Sequence, residues 1–73
     1  AFTTSTGHAV GLGIVAADPK TFAYHSRMFI QSYGMGQVED TGGMKGNVID
    51  VWFPSYSDCV SWGRRNVTVW LLD

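Results

Sequence analysis

With 73 residues the chain has material for one domain, spanning 1–73, close to the size below which a single hydrophobic core no longer suffices. Hydrophobic residues make up 45% and charged residues 15%, and a formal charge of −1 sets up no long-range field, which argues against nucleic acid or an anionic membrane as the target. One cysteine, Cys59, excludes an internal disulfide framework and a thiolate zinc cluster, and no apolar run approaches the roughly 20 residues of a membrane span. Beginning at Ala1 rather than Met, the chain reads as a mature or excised domain.

Residues 1–6 are β-prone and end at Gly7, which predicts a first strand. Residues 9–17 alternate, with Val10, Leu12, Ile14 and Ala16 on one face and small residues on the other, as suits a tight barrel in which backbones approach closely. Asp18-Pro19 breaks that run and places an acid at a strand end. Arg27 to Tyr33 is strand-like, with Met28 and Ile30 facing opposite to Phe29. Gly34-Met35-Gly36 reads as a hairpin turn, and Gln37-Val38-Glu39 as a short strand delivering Asp40.

From Asn47 to Phe53 side chains should alternate, so that Ile49, Val51 and Phe53 point one way and Val48, Asp50 and Trp52 the other. An acid and a flat indole then share one face, with hydrocarbon behind them. The glycine-rich stretch Thr41-Gly42-Gly43 turns the chain between Asp40 and this strand. After it, Ser55 and Asp58 have capping-box spacing and Gly63 is a helix stop, which predicts one helix with Tyr56, Cys59, Val60 and Trp62 as its apolar stripe. Arg64-Arg65 follow the helix end, where positive charge is favourable. Residues 66–72 form the last strand. Trp62, Trp70 and Cys59 are expected in the core. About six short strands and one helix are most economically housed in a small closed β-barrel, because closure removes exposed edges.

Asp18, Asp40 and Asp50 occupy comparable places at or in strands. An Asp before Pro or Gly is ordinarily a turn former, but a charge inside the β-branched run around Asp50 is unexpected on packing grounds alone. Asp40-Thr41-Gly42 also matches the aspartic-protease triplet, although that enzyme needs two triplets and each normally follows apolar residues. Three acids could hold a hard cation, yet His8 and His25 are isolated in the sequence, and neither a metal nor another cofactor is expected.

Ala17-Asp18-Pro19, Glu39-Asp40-Thr41-Gly42-Gly43, Lys45-Gly46-Asn47, Ile49-Asp50-Val51 and Gly63-Arg64-Arg65 together resemble the three-aspartate (3D) domain, related to the catalytic barrel of the membrane-bound lytic transglycosylase A family. The turn between Asp40 and Asp50 is one residue shorter than is usual there. The resemblance implies an all-β, six-stranded double-psi β-barrel with one short helix, in a secreted protein at the bacterial cell wall. It implies a lytic transglycosylase that cleaves the β-1,4 bond between N-acetylmuramic acid and N-acetylglucosamine in peptidoglycan glycan strands, leaving a 1,6-anhydro product. The family's three signature acids match Asp18, Asp40 and Asp50, with Asp50 as acid and then base and the other two tuning and orienting it. A group that gives and then takes a proton needs a pKa near working pH, which proteins arrange with like charges and apolar cover. Trp52, Thr41, Gly42, Gly43 and Lys45 are the expected substrate contacts. Double-psi barrels also occur in expansin-like proteins that bind wall polysaccharide without cutting it, and fold alone does not separate the two. Two copies of so small a barrel could also exchange strands to form a homodimer.

Overall fold

The computed structural model describes residues 3–7 and 9–72. Five strands and one helix follow in the order β1 (Ile14–Ala17), β2 (Arg27–Ile30), β3 (Gly34–Asp40), β4 (Ile49–Val51), α1 (Tyr56–Trp62) and β5 (Val69–Leu71). They form one sheet ordered β4-β1-β3-β2-β5. β1 and β3 run parallel and the other neighbours antiparallel. The longest strand, β3, therefore sits at the centre, inserted between β1 and β2.

The core follows from alternation. Val15 and Ala17 of β1, Met28 and Ile30 of β2 and Val38 of β3 are fully buried on one face. Ile49 and Val51 of β4 pack against the same cluster, while Asp50 between them is exposed. Phe29 faces away from Met28 and Ile30, as expected, and lies against Trp70 at 5.7 Å between ring centroids.

Among the described residues the sheet curls into a five-stranded half-barrel and does not close, which corrects the expectation of six strands in a sealed double-psi barrel. The N-terminal segment contributes a single bridge, Thr3 to Ala9, where a strand was expected over 1–6; Ala1 and Phe2 lie outside the described residues. At the other side β4 and β5 are both edges of three residues. Trp62, Gly63, Arg64 and Arg65 line the space between them, which remains an open groove. Short edges of this kind also blunt unwanted pairing with other chains.

The β2–β3 turn is likewise displaced. It falls at residues 31–33, with Ser32 at φ 66°, and Gly34-Met35-Gly36 belongs to β3 itself. Gly36 serves packing: a Cβ there would sit 2.7 Å from Val15 Cγ2 and 2.9 Å from Ile30 Cδ1. The same glycine signal marks a turn or a close approach in sequence, and here it marks the second.

The helix begins and ends where predicted. Ser55 Oγ accepts from the Asp58 N–H at 3.2 Å, and the Gly63 N–H donates to the Cys59 carbonyl at 2.9 Å. Its expected apolar stripe is not buried: Tyr56 is 84% and Val60 60% exposed, and Cys59 is exposed too. Only Trp62, in the last turn, packs on the core, where it meets Tyr33 and Phe53 at 6.0 and 5.5 Å between centroids. Trp70, expected inside, is half exposed on β5.

Candidate functional site

Strand register brings two of the three acids together. Ala16 of β1 is paired with Asp50 on β4 and with Asp40 on β3, so the three residues form one row across the sheet. Directly opposed residues on neighbouring strands share a face, which leaves the two carboxylates' Cα atoms roughly 10 Å apart, two inter-strand spacings. Both acids line a small cavity of about 100 Å³, together with Ile14, Val51 and Trp52.

The row depends on an irregularity. Along the β1–β3 pairing, Ile14 meets Gln37 and Val15 meets Val38, but Ala16 meets Asp40, skipping Glu39. Regular pairing would have set Glu39 opposite Ala16. The bulge advances the chain by one residue and so re-aims Asp40 into line with Asp50, a use of bulges seen beside functional sites.

Asp40 is held in place from three directions. Its Oδ1 accepts from the Ser5 hydroxyl at 2.7 Å, the Ser5 N–H at 3.2 Å and the Thr41 N–H at 2.9 Å. The Ser5 hydroxyl is the main reason that its carboxyl lies below the ordinary range; partial burial works the other way, and the Thr41, Ser5 and Gly42 N–H groups add to the lowering. Asp40 therefore stays ionised at neutral pH. Thr41 also closes the next turn, its carbonyl accepting from the Met44 N–H at 2.7 Å. Gly42 and Gly43 adopt φ 49° and 73°, as the predicted sharp turn requires.

Asp18 lies at the end of β1, outside that cavity. Its Oδ1 accepts from the Lys20 N–H and its Oδ2 from the Gly46 N–H, each at 3.0 Å. The Gly46 bond leads the lowering of its pKa, followed by the Lys20 N–H, with smaller help from the charges of Lys20 and Lys45. Asp18 thus ties the loop that follows Asp40 to the end of β1, and Lys45 is an exposed cation near it. Asp50 makes its contribution by position: it lines the small cavity and also a groove of about 650 Å³ between the open edges β4 and β5. Trp52 is half-buried beside it, its carbonyl accepting from the Tyr33 hydroxyl at 2.7 Å. Among the described residues no group of three His, Cys, Asp or Glu could hold a metal ion.

Four residues that sequence reasoning passed over, Glu39, Ser5, Thr6 and Tyr33, support this arrangement. Glu39, the bulged residue, is fully buried and accepts from Thr6 Oγ1, from Gln37 Nε2 at 2.7 Å and from His25 Nδ1 at 2.9 Å. Burial is the largest single influence on its pKa and raises it. The three hydrogen bonds together prevail and lower it to about 2. Ser5 holds Asp40, and the neighbouring Thr6 holds Glu39, so consecutive acids of β3 clamp consecutive residues of the N-terminal segment. Tyr33 joins the Gly13 N–H, which donates to its hydroxyl at 2.9 Å, to the Trp52 carbonyl. The only sequence signal for Glu39 was its adjacency to Asp40 in a strand; nothing local marks Ser5.

The 3D domain model matches residues 13–73. Over 61 residues, 82% of this chain, it is 41% identical to "Cell wall-binding protein YocH" of Bacillus subtilis (strain 168), covering 21% of that protein. Over the same share it is 36% identical to "Putative cell wall shaping protein YabE" of the same organism, covering 15% of it. The chain thus spans about a fifth or less of the curated relatives it matches. No helix among the described residues is long and apolar enough to cross a membrane. Because the family model covers residues 13–73, most of the sequence, the chain belongs to the 3D domain family.

Proposed function

We propose that the domain is a peptidoglycan lytic transglycosylase acting at the bacterial cell wall, with Asp50 as its acid and base. The observation that carries this reading is the row Asp40–Ala16–Asp50, whose two acids share a cavity with Trp52. A protonated Asp50 gives its hydrogen to the glycosidic oxygen as the bond to the muramic C1 breaks. The C6 hydroxyl of the same muramic residue attacks C1, and the Asp50 carboxylate takes that hydroxyl's proton, so the acid is restored and no water is consumed. Asp40, kept ionised by Ser5 and Thr41, supplies fixed negative charge facing the oxocarbenium-like transition state expected of glycosidic cleavage. Trp52 offers an apolar face to a sugar ring, and Asp18 acts at one remove by holding the 42–46 loop.

The test is a digest of purified peptidoglycan analysed by mass. A muropeptide lighter than the hydrolytic product by one water identifies the transglycosylase. Asp50→Asn should lower product release by about 10²–10⁴-fold, the usual worth of general acid–base action, while leaving the fold intact because Asp50 is exposed. The names of the two relatives favour a second reading, a non-catalytic module that binds wall polysaccharide. Retention on insoluble peptidoglycan with no soluble product would select it.

A further inference from the structure

The groove between β4 and β5 carries an asymmetry of charge of which the reaction uses only the acidic side. Asp50 stands on its β4 wall and Arg64 and Arg65 on the wall that follows α1. Its volume of about 650 Å³ is in the range of small-molecule sites. Arg65 is committed to the helix end: its Nε donates to the Trp62 carbonyl at 2.9 Å and a terminal nitrogen to the Ser61 carbonyl at 3.2 Å. Its guanidinium also lies 4.3 Å from the centre of the Trp62 ring. Arg64 has no such employment. Its side chain makes no hydrogen bond or ion pair with a described residue, yet it lines the same groove as Asp50. Its point of emergence is set, because Gly63 leaves the helix at φ 60° with its N–H on the Cys59 carbonyl.

An unpaired guanidinium in a groove is matched by a planar carboxylate, which it can grip through two parallel hydrogen bonds. On a glycan of alternating sugars, N-acetylglucosamine offers no such group. The muramic residue does, as its lactyl acid when bare or through the carboxylates of its peptide stem when substituted. We infer that Arg64 binds a carboxylate carried by the muramic residue and so sets the register of the strand, placing a muramic rather than a glucosamine anomeric carbon at Asp50. This rests on the peptidoglycan-cleaving reading above and adds a specificity-determining residue to it.

The experiment measures binding of the whole chain and of Arg64→Gln to three probes by calorimetry. The probes are chitotetraose, which has no carboxylate, glycan strands stripped of peptide, which expose the lactyl acid, and strands bearing peptide stems. The parent should bind at least one acidic strand about tenfold more tightly than chitotetraose, a modest return for one charge-assisted contact at an open groove. Preference for the stripped strand identifies the lactyl acid as the ligand, and preference for the substituted strand identifies the stem. Arg64→Gln should reduce the acidic strand to the chitotetraose level and leave chitotetraose unchanged. A variant that keeps the preference, or a parent that has none, overturns the assignment of Arg64 while leaving glycan binding in place. A parent that binds none of the three probes overturns the peptidoglycan reading as well.

Discussion

Replacing Glu39 with Gln tests the frame that carries the candidate site. The carboxylate is fully buried and receives hydrogen bonds from Thr6, Gln37 and His25. Gln preserves the volume, but its NH2 group turns a donor toward donors, and its oxygen accepts without charge. The depressed pKa gives the scale. A shift from 4.5 to about 2 corresponds to about 3 kcal/mol favouring the ionised over the neutral side chain in the folded state. Leaving a buried partner unsatisfied typically costs about 1–3 kcal/mol, so the substitution should cost about that much at pH 7.

Because the folded pKa is the lower one, the stabilisation is fully present above pH 4.5 and is lost as pH falls toward about 2. Urea unfolding of parent and Glu39→Gln at pH 7, 4 and 2 should therefore show a gap that is widest at pH 7 and nearly gone at pH 2. Asp18 and Asp40, also depressed, add their own acid sensitivity to both proteins and cancel in the difference. A gap that stays constant with pH would refute the reasoning, since it would mean that the charge on Glu39 contributes nothing and only shape matters.

Gly36→Ala should destabilise the domain by about 1–3 kcal/mol through overpacking against Val15 and Ile30, lowering Tm by about 4–8 °C per kcal/mol. Calorimetry showing an unchanged Tm would mean that the core has room there. Ser5→Ala removes the hydroxyl that most depresses the Asp40 pKa, so Asp40 takes up its proton at a higher pH than in the parent. Loss of muropeptide release on the acid side should then begin at higher pH, with stability changed by only about 1 kcal/mol. An unmoved acid limb would show that the charge on Asp40 plays no part in turnover.

Local chemistry made several features legible in advance. Ser55, Asp58 and Gly63 announce the helix ends because capping is decided within a turn of chain. Met28 and Ile30 against Phe29, and Ile49 and Val51 against Asp50, announce strand faces because the period of two is a property of the extended backbone. The ordered acids and glycines marked the family for the same reason, as residue types at fixed offsets.

Other features needed partners distant in sequence. Whether the glycines at 34–36 made a turn or a packed strand depended on Val15 and Ile30, which lie on two other strands. Whether the apolar side of α1 was covered depended on a neighbour that the sheet does not supply, and only Trp62 found one. Barrel closure turned on whether β4 and β5 would meet as backbone, and the structure leaves an open groove between them. Above all, the pairing of Asp40 rather than Glu39 with Ala16 is a matter of register between β1 and β3, set by the bulge and by the burial of Glu39 among Thr6, Gln37 and His25. Sequence by itself determined which residues could serve as acids and which stretches were extended. Tertiary structure decided which two acids face one cavity, because register is a relation between strands and no single strand contains it.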